Sequence, residues 1–282
     1  MIVITGASGQ LGRLVIEELL TSVPANQIIA AVRTPAKVAD LAARGVVVRQ
    51  ADYTQPATLD AAFAGATQIL LISSSEVGQR LPQHQNVIAA AKRANVSLLA
   101  YTSLLHADTS PLGLAAEHVA TEQALKASGL PYAILRNGWY TENYTASIPP
   151  ALQYGVLLGS AGDGKIASAT RSDYAAAAAA VLRTPNQAGK VYELAGDTAY
   201  TLTEFAAELT RLSGKAIAYE NLPQADYAKA LLDAGLPDFL ADLLADSDTG
   251  ASKGALFDDS HQLSQLIGRP TTPLATAIAA AL

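Results

Sequence analysis

Ile2-Val-Ile-Thr-Gly6-Ala-Ser-Gly9-Gln-Leu-Gly12 runs straight into Arg13-Leu-Val-Ile-Glu-Glu-Leu-Leu20. An apolar run of β type meets a glycine-spaced turn, and an amphipathic helical pattern follows. That order is what a backbone needs to approach a pyrophosphate. Glycines permit the tight turn and the close contact, and the N–H groups of a helix N-terminus face the anion. Glycine-rich turns also join many strands to helices for steric reasons alone. The placement between strand and helix favours the dinucleotide reading.

The second apolar run, Gln27-Ile-Ile-Ala-Ala-Val32, is expected to end near the adenosine ribose. NAD sites present Asp or Glu there, about 20 residues past the glycines, to accept from the 2′-hydroxyl. No Asp or Glu occurs from Leu19 to Ala39; the run ends in Arg33, with Lys37 one helical turn on. A guanidinium suits a 2′-phosphate, because its fork of donors matches the phosphate oxygens and its charge offsets theirs. The alternative is a solvated arginine that only ends a strand. The missing acid favours NADP(H).

Composition narrows the class. With 282 residues the chain can bury a large core in one elaborated domain or somewhat more. Half of it is apolar, 16% is charged and the net charge is −6, which argues against the basic stripe of a nucleic-acid binder. No cysteine is present, so disulfides, thiolate nucleophiles and Cys-based metal sites are excluded. His84, His106, His118 and His261 lack metal-ligand spacing, and no metal site is expected. No basic segment precedes the first apolar run and no stretch reaches the length of a membrane span, so the expected location is the cytoplasm.

Strand and helix patterns then alternate. Val46–Arg49, Gln68–Ile72, Ser97–Tyr101 and Pro131–Arg136 read as strands, with helices near 57–64, 87–94 and 117–127 between them. This predicts an α/β fold with a doubly wound parallel sheet. Right-handed crossovers bring the strand C-termini to one edge. Gly6–Gly12, Arg33, Asp52-Tyr53, Ser73–Ser75 and Asn137–Glu142 are therefore expected around one crevice.

The second half is less regular. A helix is expected over Tyr174–Leu182, with Ser172 or Asp173 as N-cap, and a strand at Val191–Leu194 that rejoins the sheet. Thr201-x-x-Glu204 is a capping-box pattern opening a helix to Leu212. Helices over 227–234 and 238–244, a loop at Asp246–Gly254 and a final helix near 272–282 complete the reading. Residues 1–138, joined by 171–196, are expected to form the dinucleotide-binding domain. Residues 139–170 and 197–282 are expected to form a smaller, mostly helical lid for substrate.

The chain resembles, over its whole length, the type 2 NAD(P)H:quinone oxidoreductases of the NmrA-like group of atypical short-chain dehydrogenases, which has triphenylmethane reductase among its close members. Gly6–Gly12 is generic to the superfamily. The specific match lies in Ile72-Ser-Ser-Ser-Glu-Val-Gly-Gln-Arg80, Tyr101-Thr-Ser-Leu-Leu-His-Ala-Asp-Thr-Ser-Pro111, Leu135-Arg-Asn-Gly-Trp-Tyr-Thr-Glu-Asn-Tyr144 and Asp246-Ser-Asp-Thr-Gly-Ala-Ser-Lys-Gly254.

The resemblance implies a Rossmann-type domain, NADP(H) as cofactor and a quinone or similar planar aromatic acceptor. It implies that Gly6, Ala7, Ser8, Gly9, Gln10 and Leu11 form the phosphate loop and that Arg33 meets the 2′-phosphate. Ser73, Ser74 and Ser75 would pass the ribose and pyrophosphate. Asn137, Gly138, Trp139, Tyr140, Thr141 and Glu142 would flank the nicotinamide, with Ser168 nearby. Trp139 and Tyr140 also read as plain core. Standing right after a strand end, they are placed to stack on a planar acceptor. A homo-oligomer is compatible with all of this.

One departure bears on mechanism. Carbonyl-reducing short-chain dehydrogenases use Tyr-x-x-x-Lys to donate a proton. Here the helix after the fifth strand carries His118-x-x-x-Glu122, and neither Tyr101 nor Tyr132 has a lysine four residues on. Quinone reduction tolerates the loss, because hydride delivery leaves a resonance-stabilised phenolate that takes a proton from solvent. Direct transfer without flavin or metal is the expectation, with Asn137 and Tyr140 as candidate catalytic contacts. His118 is read either as a proton shuttle or as an ordinary helix histidine. Two other readings stay open: an NADP(H)-binding redox sensor of the NmrA type that acts through a protein partner, and a reductase of another extended aromatic acceptor such as a triphenylmethane dye.

Overall fold

The computed structural model describes residues 1–282. In chain order the elements begin with β1 (Ile2–Thr5), α1 (Gln10–Leu20), β2 (Ile28–Val32), α2 (Ala39–Ala43), β3 (Val47–Gln50), α3 (Pro56–Phe63) and β4 (Gln68–Leu71). They continue with α4 (Arg80–Arg93), β5 (Leu98–Leu104), α5 (Ala115–Ala127), β6 (Tyr132–Asn137), α6 (Thr141–Thr145), α7 (Ile148–Tyr154) and β7 (Val156–Gly159). The remainder comprises α8 (Arg171–Arg183), β8 (Lys190–Leu194), α9 (Leu202–Ser213), β9 (Ala218–Asn221), α10 (Gln224–Asp233), α11 (Asp238–Ala251), α12 (Gln262–Ile267) and α13 (Leu274–Ala281). No helix is long and apolar enough to cross a membrane.

The chain divides into two compact units; the first comprises Met1–Asp108, Leu114–Asn137 and Arg171–Glu193. Its seven-stranded sheet has the order β3-β2-β1-β4-β5-β6-β8, and the strands from β3 through β6 pair in parallel. Parallel strands are covered on both faces, which is why β2 is buried along its whole length. On one face Val3, Ile29, Ile69, Leu71, Leu99 and Ile134 pack with Leu59, Phe63, Val87 and Leu125 from α3, α4 and α5. The pleat turns alternate residues the other way. There α8 packs against α1 and the sheet, its alanines buried from Ala175 to Ala179. Strand order reverses at β1, which lies between β2 and β4, and ligands of such sheets bind at that reversal.

The second unit comprises Thr109–Gly113, Gly138–Thr170 and Leu194–Leu282. Within it β7 and β9 pair in parallel, α10 packs on α11, and Tyr144, Tyr200 and Phe205 form an aromatic cluster. The capping box is present: Glu204 N donates to Thr201 Oγ1 and Thr201 N to Glu204 Oε2.

The structure departs from the sequence reading in several places. Asp246–Ala251 is helical, the last stretch of α11, not loop. Its turn-forming residues have partners that hold them in the helix: Ser247 Oγ donates back to Leu243 O, and Asp248 is bound through its carboxylate. Gly250, a loop signal in the sequence, packs against Leu112, whose terminal methyl a Cβ there would meet at 2.2 Å and would have to displace. α8 begins at Arg171, so Ser172 and Asp173 lie inside its first turn and not at the N-cap position. β7 has no counterpart among the expected strands.

Candidate functional site

In the first unit a groove of about 240 Å³ opens at the strand reversal, lined from the ends of four neighbouring strands. Gly6, Ser8 and Gly9 follow β1, Arg33 follows β2, Asp52 and Tyr53 follow β3, and Ile72–Glu76 follow β4; Gln83 reaches in from α4. Gly6 turns the chain with φ +59, a left-handed conformation that favours glycine. Gly9 leads into α1, and no side chain caps that helix. Its N-terminal N–H groups suit an anion. Ala7 and Leu11 are buried, so what they offer a ligand is backbone. The floor is tied by hydroxyls. Thr5 Oγ1 meets Tyr53 Oη; Thr5 Oγ1 also bonds Leu70 O and Ile72 N, and Tyr53 Oη donates to Ile72 O.

Arg33 is 65% exposed at its side chain and pairs at 2.8 Å with Glu76. Asp52 accepts from Thr54 N and Oγ1 at 2.8 and 2.7 Å, contacts that hold its carboxyl below the usual range, with Arg33 adding to the effect. Lys37 is absent from the lining.

The loop after β4 is gripped from below. Ser73 N donates to Thr102 Oγ1, Ser74 N donates to His84 Nε2 at 2.9 Å, and Arg80 Nε donates to Ser74 O at 2.7 Å. His84 therefore accepts at Nε2 and carries its proton on Nδ1, which faces Thr121 Oγ1 at 2.9 Å. A second proton would collide with the Ser74 N–H. Burial, helped by Arg80, pushes His84 down to about 4 from 6.5. The unfolded chain thus takes up its proton first as pH falls. The stability is whole above pH 6.5 and drains between 6.5 and 4. We expect about 3 kcal/mol of acid destabilisation from this residue alone. Urea titrations at pH 7 and pH 4 check it, with His84→Gln as the control expected to flatten the difference.

His118 and Glu122 on α5 stand close to β5 but serve structure. His118 is buried, its Nδ1 lies 2.7 Å from Tyr101 Oη, and burial beside Arg80 pushes it down to about 3. It is a neutral core histidine, neither exposed nor among the groove residues. Glu122 takes two bonds from Arg136, Nε at 2.9 Å and Nη2 at 2.8 Å, and one from Ser103 Oγ at 2.7 Å. Arg136 Nη1 also donates to Asp108 and Glu193. Asn137, at the end of β6, is 6% exposed, and its Oδ1 is buried without a hydrogen-bond donor. Folded proteins rarely leave such an acceptor unsatisfied, so it fits a ligand amide or hydroxyl.

Gly138–Glu142 and Ser168 belong to the second unit. There Tyr140 bridges to Ala169, Thr141 N donates to Ala169 O, and Ser168 Oγ lies 2.8 Å from Thr141 Oγ1 and 2.6 Å from Tyr200 Oη. Trp139 is 7% exposed. Asp248 is buried beneath; it accepts from Tyr144 Oη and Ser160 N, and burial raises it to about 6.

The sequence reading missed Glu76 and Gln83 as groove residues. Glu76 directly follows Ser73–Ser75 and was legible as part of that loop. Gln83 sits one helical turn inside α4 and carries no signal of its own.

Residues 6–185 match the sequence profile of a family described as NAD(P)H-binding. The chain is 66% identical over 278 residues to Quinone oxidoreductase 2 of Escherichia coli strain K12, covering 99% of this chain and 97% of that protein. Among solved structures it superimposes with a TM-score of 0.97 on the NADPH complex of an E. coli NADPH-dependent quinone oxidoreductase, at 65% identity and 99% coverage of both chains. It superimposes with a TM-score of 0.96 on Citrobacter sp. triphenylmethane reductase complexed with NADP(H), at 38% identity and full coverage of both.

Proposed function

The chain belongs to the NAD(P)H-binding family, within the group that includes the E. coli quinone oxidoreductase, and we propose that it reduces quinones with NADPH. The observation that carries this reading is the groove at the strand reversal. It joins a glycine turn and an uncapped helix N-terminus to Arg33 in place of an acid. The residues fit the cofactor: Gly9 leaves the backbone bare where the pyrophosphate must approach, and Asn137 Oδ1 stands buried without a donor.

When bound, NADPH supplies the hydride that, with one proton, turns a quinone into a hydroquinone. The protein's part is to bind, orient and leave room for the proton. Gly6–Leu11 present backbone N–H groups to the pyrophosphate, Arg33 holds the 2′-phosphate, and Ser73–Ser75 run beside the ribose. Asn137 accepts from the carboxamide. Within the second unit, Gly138–Glu142 and Ser168 would offer their own contacts to the nicotinamide, and Trp139 and Tyr140 aromatic surface to a planar acceptor. His118, neutral and bonded to Tyr101, moves no proton; the phenolate takes its proton from water. A cytoplasmic location belongs to the same proposal.

Purified protein mixed with NADPH should oxidise it steadily once a benzoquinone or naphthoquinone is added, and faster than it oxidises NADH. With a triphenylmethane dye as acceptor, deuterium from NADPH labelled at the transferred position should appear on the dye's central carbon. Activity that depends on added flavin would rule out direct transfer. Absence of turnover across the whole acceptor panel would return the chain to a binding or sensing role.

A further inference from the structure

Arg33 does not wait for a phosphate alone. Its Nη1 lies 2.8 Å from Glu76 Oε1, and both residues line the same groove. Glu76, 42% exposed at its side chain, is held at both carboxylate oxygens. Its second oxygen accepts from Gln83 Nε2 at 2.6 Å, and Gln83 is only 5% exposed. Its backbone N donates to Ser74 Oγ at 3.1 Å. The other carboxylate of the lining, Asp52, is bound to Thr54 instead. The fold thus brings to Arg33, from the β4 loop, the acid that the β2 end lacks.

We infer that Glu76 is a specificity-determining residue of the nucleotide site, competing with the 2′-phosphate for Arg33 and accepting from the 2′-hydroxyl of NADH. The inference rests on the reading that Arg33 holds the 2′-phosphate. A dianionic phosphate drawn to Arg33 must break the existing ion pair or lie beside its carboxylate, and like charges at that range oppose binding. A ribose hydroxyl meets no repulsion and finds an acceptor already oriented by Gln83. Arg33 therefore sets the preference for NADPH, and Glu76 narrows it.

Fluorescence titration of the ligand-free protein with NADPH and with NADH tests this in Glu76→Gln, Glu76→Ala and Arg33→Ala. Glu76→Gln keeps a partner for Gln83 and removes the charge. It should tighten NADPH by about tenfold and leave NADH unchanged or slightly weaker, the scale of an exposed ion pair plus one like-charge contact. Glu76→Ala should move NADPH in the same direction. Arg33→Ala should weaken NADPH by about 10- to 100-fold and NADH hardly at all. If Arg33→Ala leaves the NADPH-to-NADH ratio as in the wild type, the 2′-phosphate lies elsewhere and the underlying reading fails. If Arg33→Ala lowers that ratio while both Glu76 variants bind NADPH no better than the wild type, Glu76 merely holds Arg33 in place and the inference is overturned.

Discussion

Arg136→Leu is expected to destabilise the protein by about 3–5 kcal/mol, the cost of leaving a buried carboxylate without its partner. Glu122 is 2% exposed and takes two of its three hydrogen bonds from that guanidinium. Lys126, 3.6 Å away and half in solvent, is a poor substitute. Urea unfolding at pH 7 measures the loss. Arg136→Leu/Glu122→Leu should recover more than half, because it removes the most deeply buried of the carboxylates that Arg136 neutralises and leaves Glu193 and Asp108, which lie nearer to solvent. A loss below about 1 kcal/mol in the single variant would mean that Glu122 escapes to water, as an exposed pair does.

Gly9→Val is expected to abolish NADPH binding in a protein that still folds. Gly9 has φ −77, which valine adopts without strain, and a Cβ there meets only Gly6 O at 3.2 Å. The branches of valine would stand where the pyrophosphate must approach the backbone. Gly12 answers to a different constraint: a Cβ there would lie 2.6 Å from Gly6 O and 2.8 Å from Ala7 Cα. Gly12→Ala should therefore unfold at lower urea, because α1 cannot stay close to its turn. Circular dichroism and NADPH titration separate the two. A folded Gly9→Val that binds NADPH like the wild type would confine the glycines to shaping the turn.

The glycine turn, the elements that flank it and the choice of NADP(H) were legible because their signals are local. Glycine spacing, the strand and helix on either side and the missing acid before Ala39 all lie within one stretch of chain, and their meaning comes from short-range geometry. The Arg33–Glu76 pair was not legible, since it joins residues 43 positions apart through the order of strands. The surroundings of His118 were not legible either: its burial and its contact with Tyr101 come from residues that only the fold brings together. Asp246–Gly254 misled for a related reason. Asp, Ser and Gly favour turns on their own, and the bonds that Asp248 takes from Tyr144 and Ser160 come from residues far away in the chain.

The discontinuity of the second unit bears on how the chain is made. Gly113 N donates to Asp246 across 133 residues, and Tyr144 reaches Asp248 across 104. Six of the seven strands of the large sheet, β1 to β6, are complete by Asn137, within the first half of the chain, and only β8 follows later, so that sheet can begin to organise on the nascent chain. The second unit cannot close until α11 has emerged, and its loops bear their closure entropy late. Until then the acceptor of Tyr144, Asp248, is absent, so the core of the second unit is the last part of the molecule to be completed.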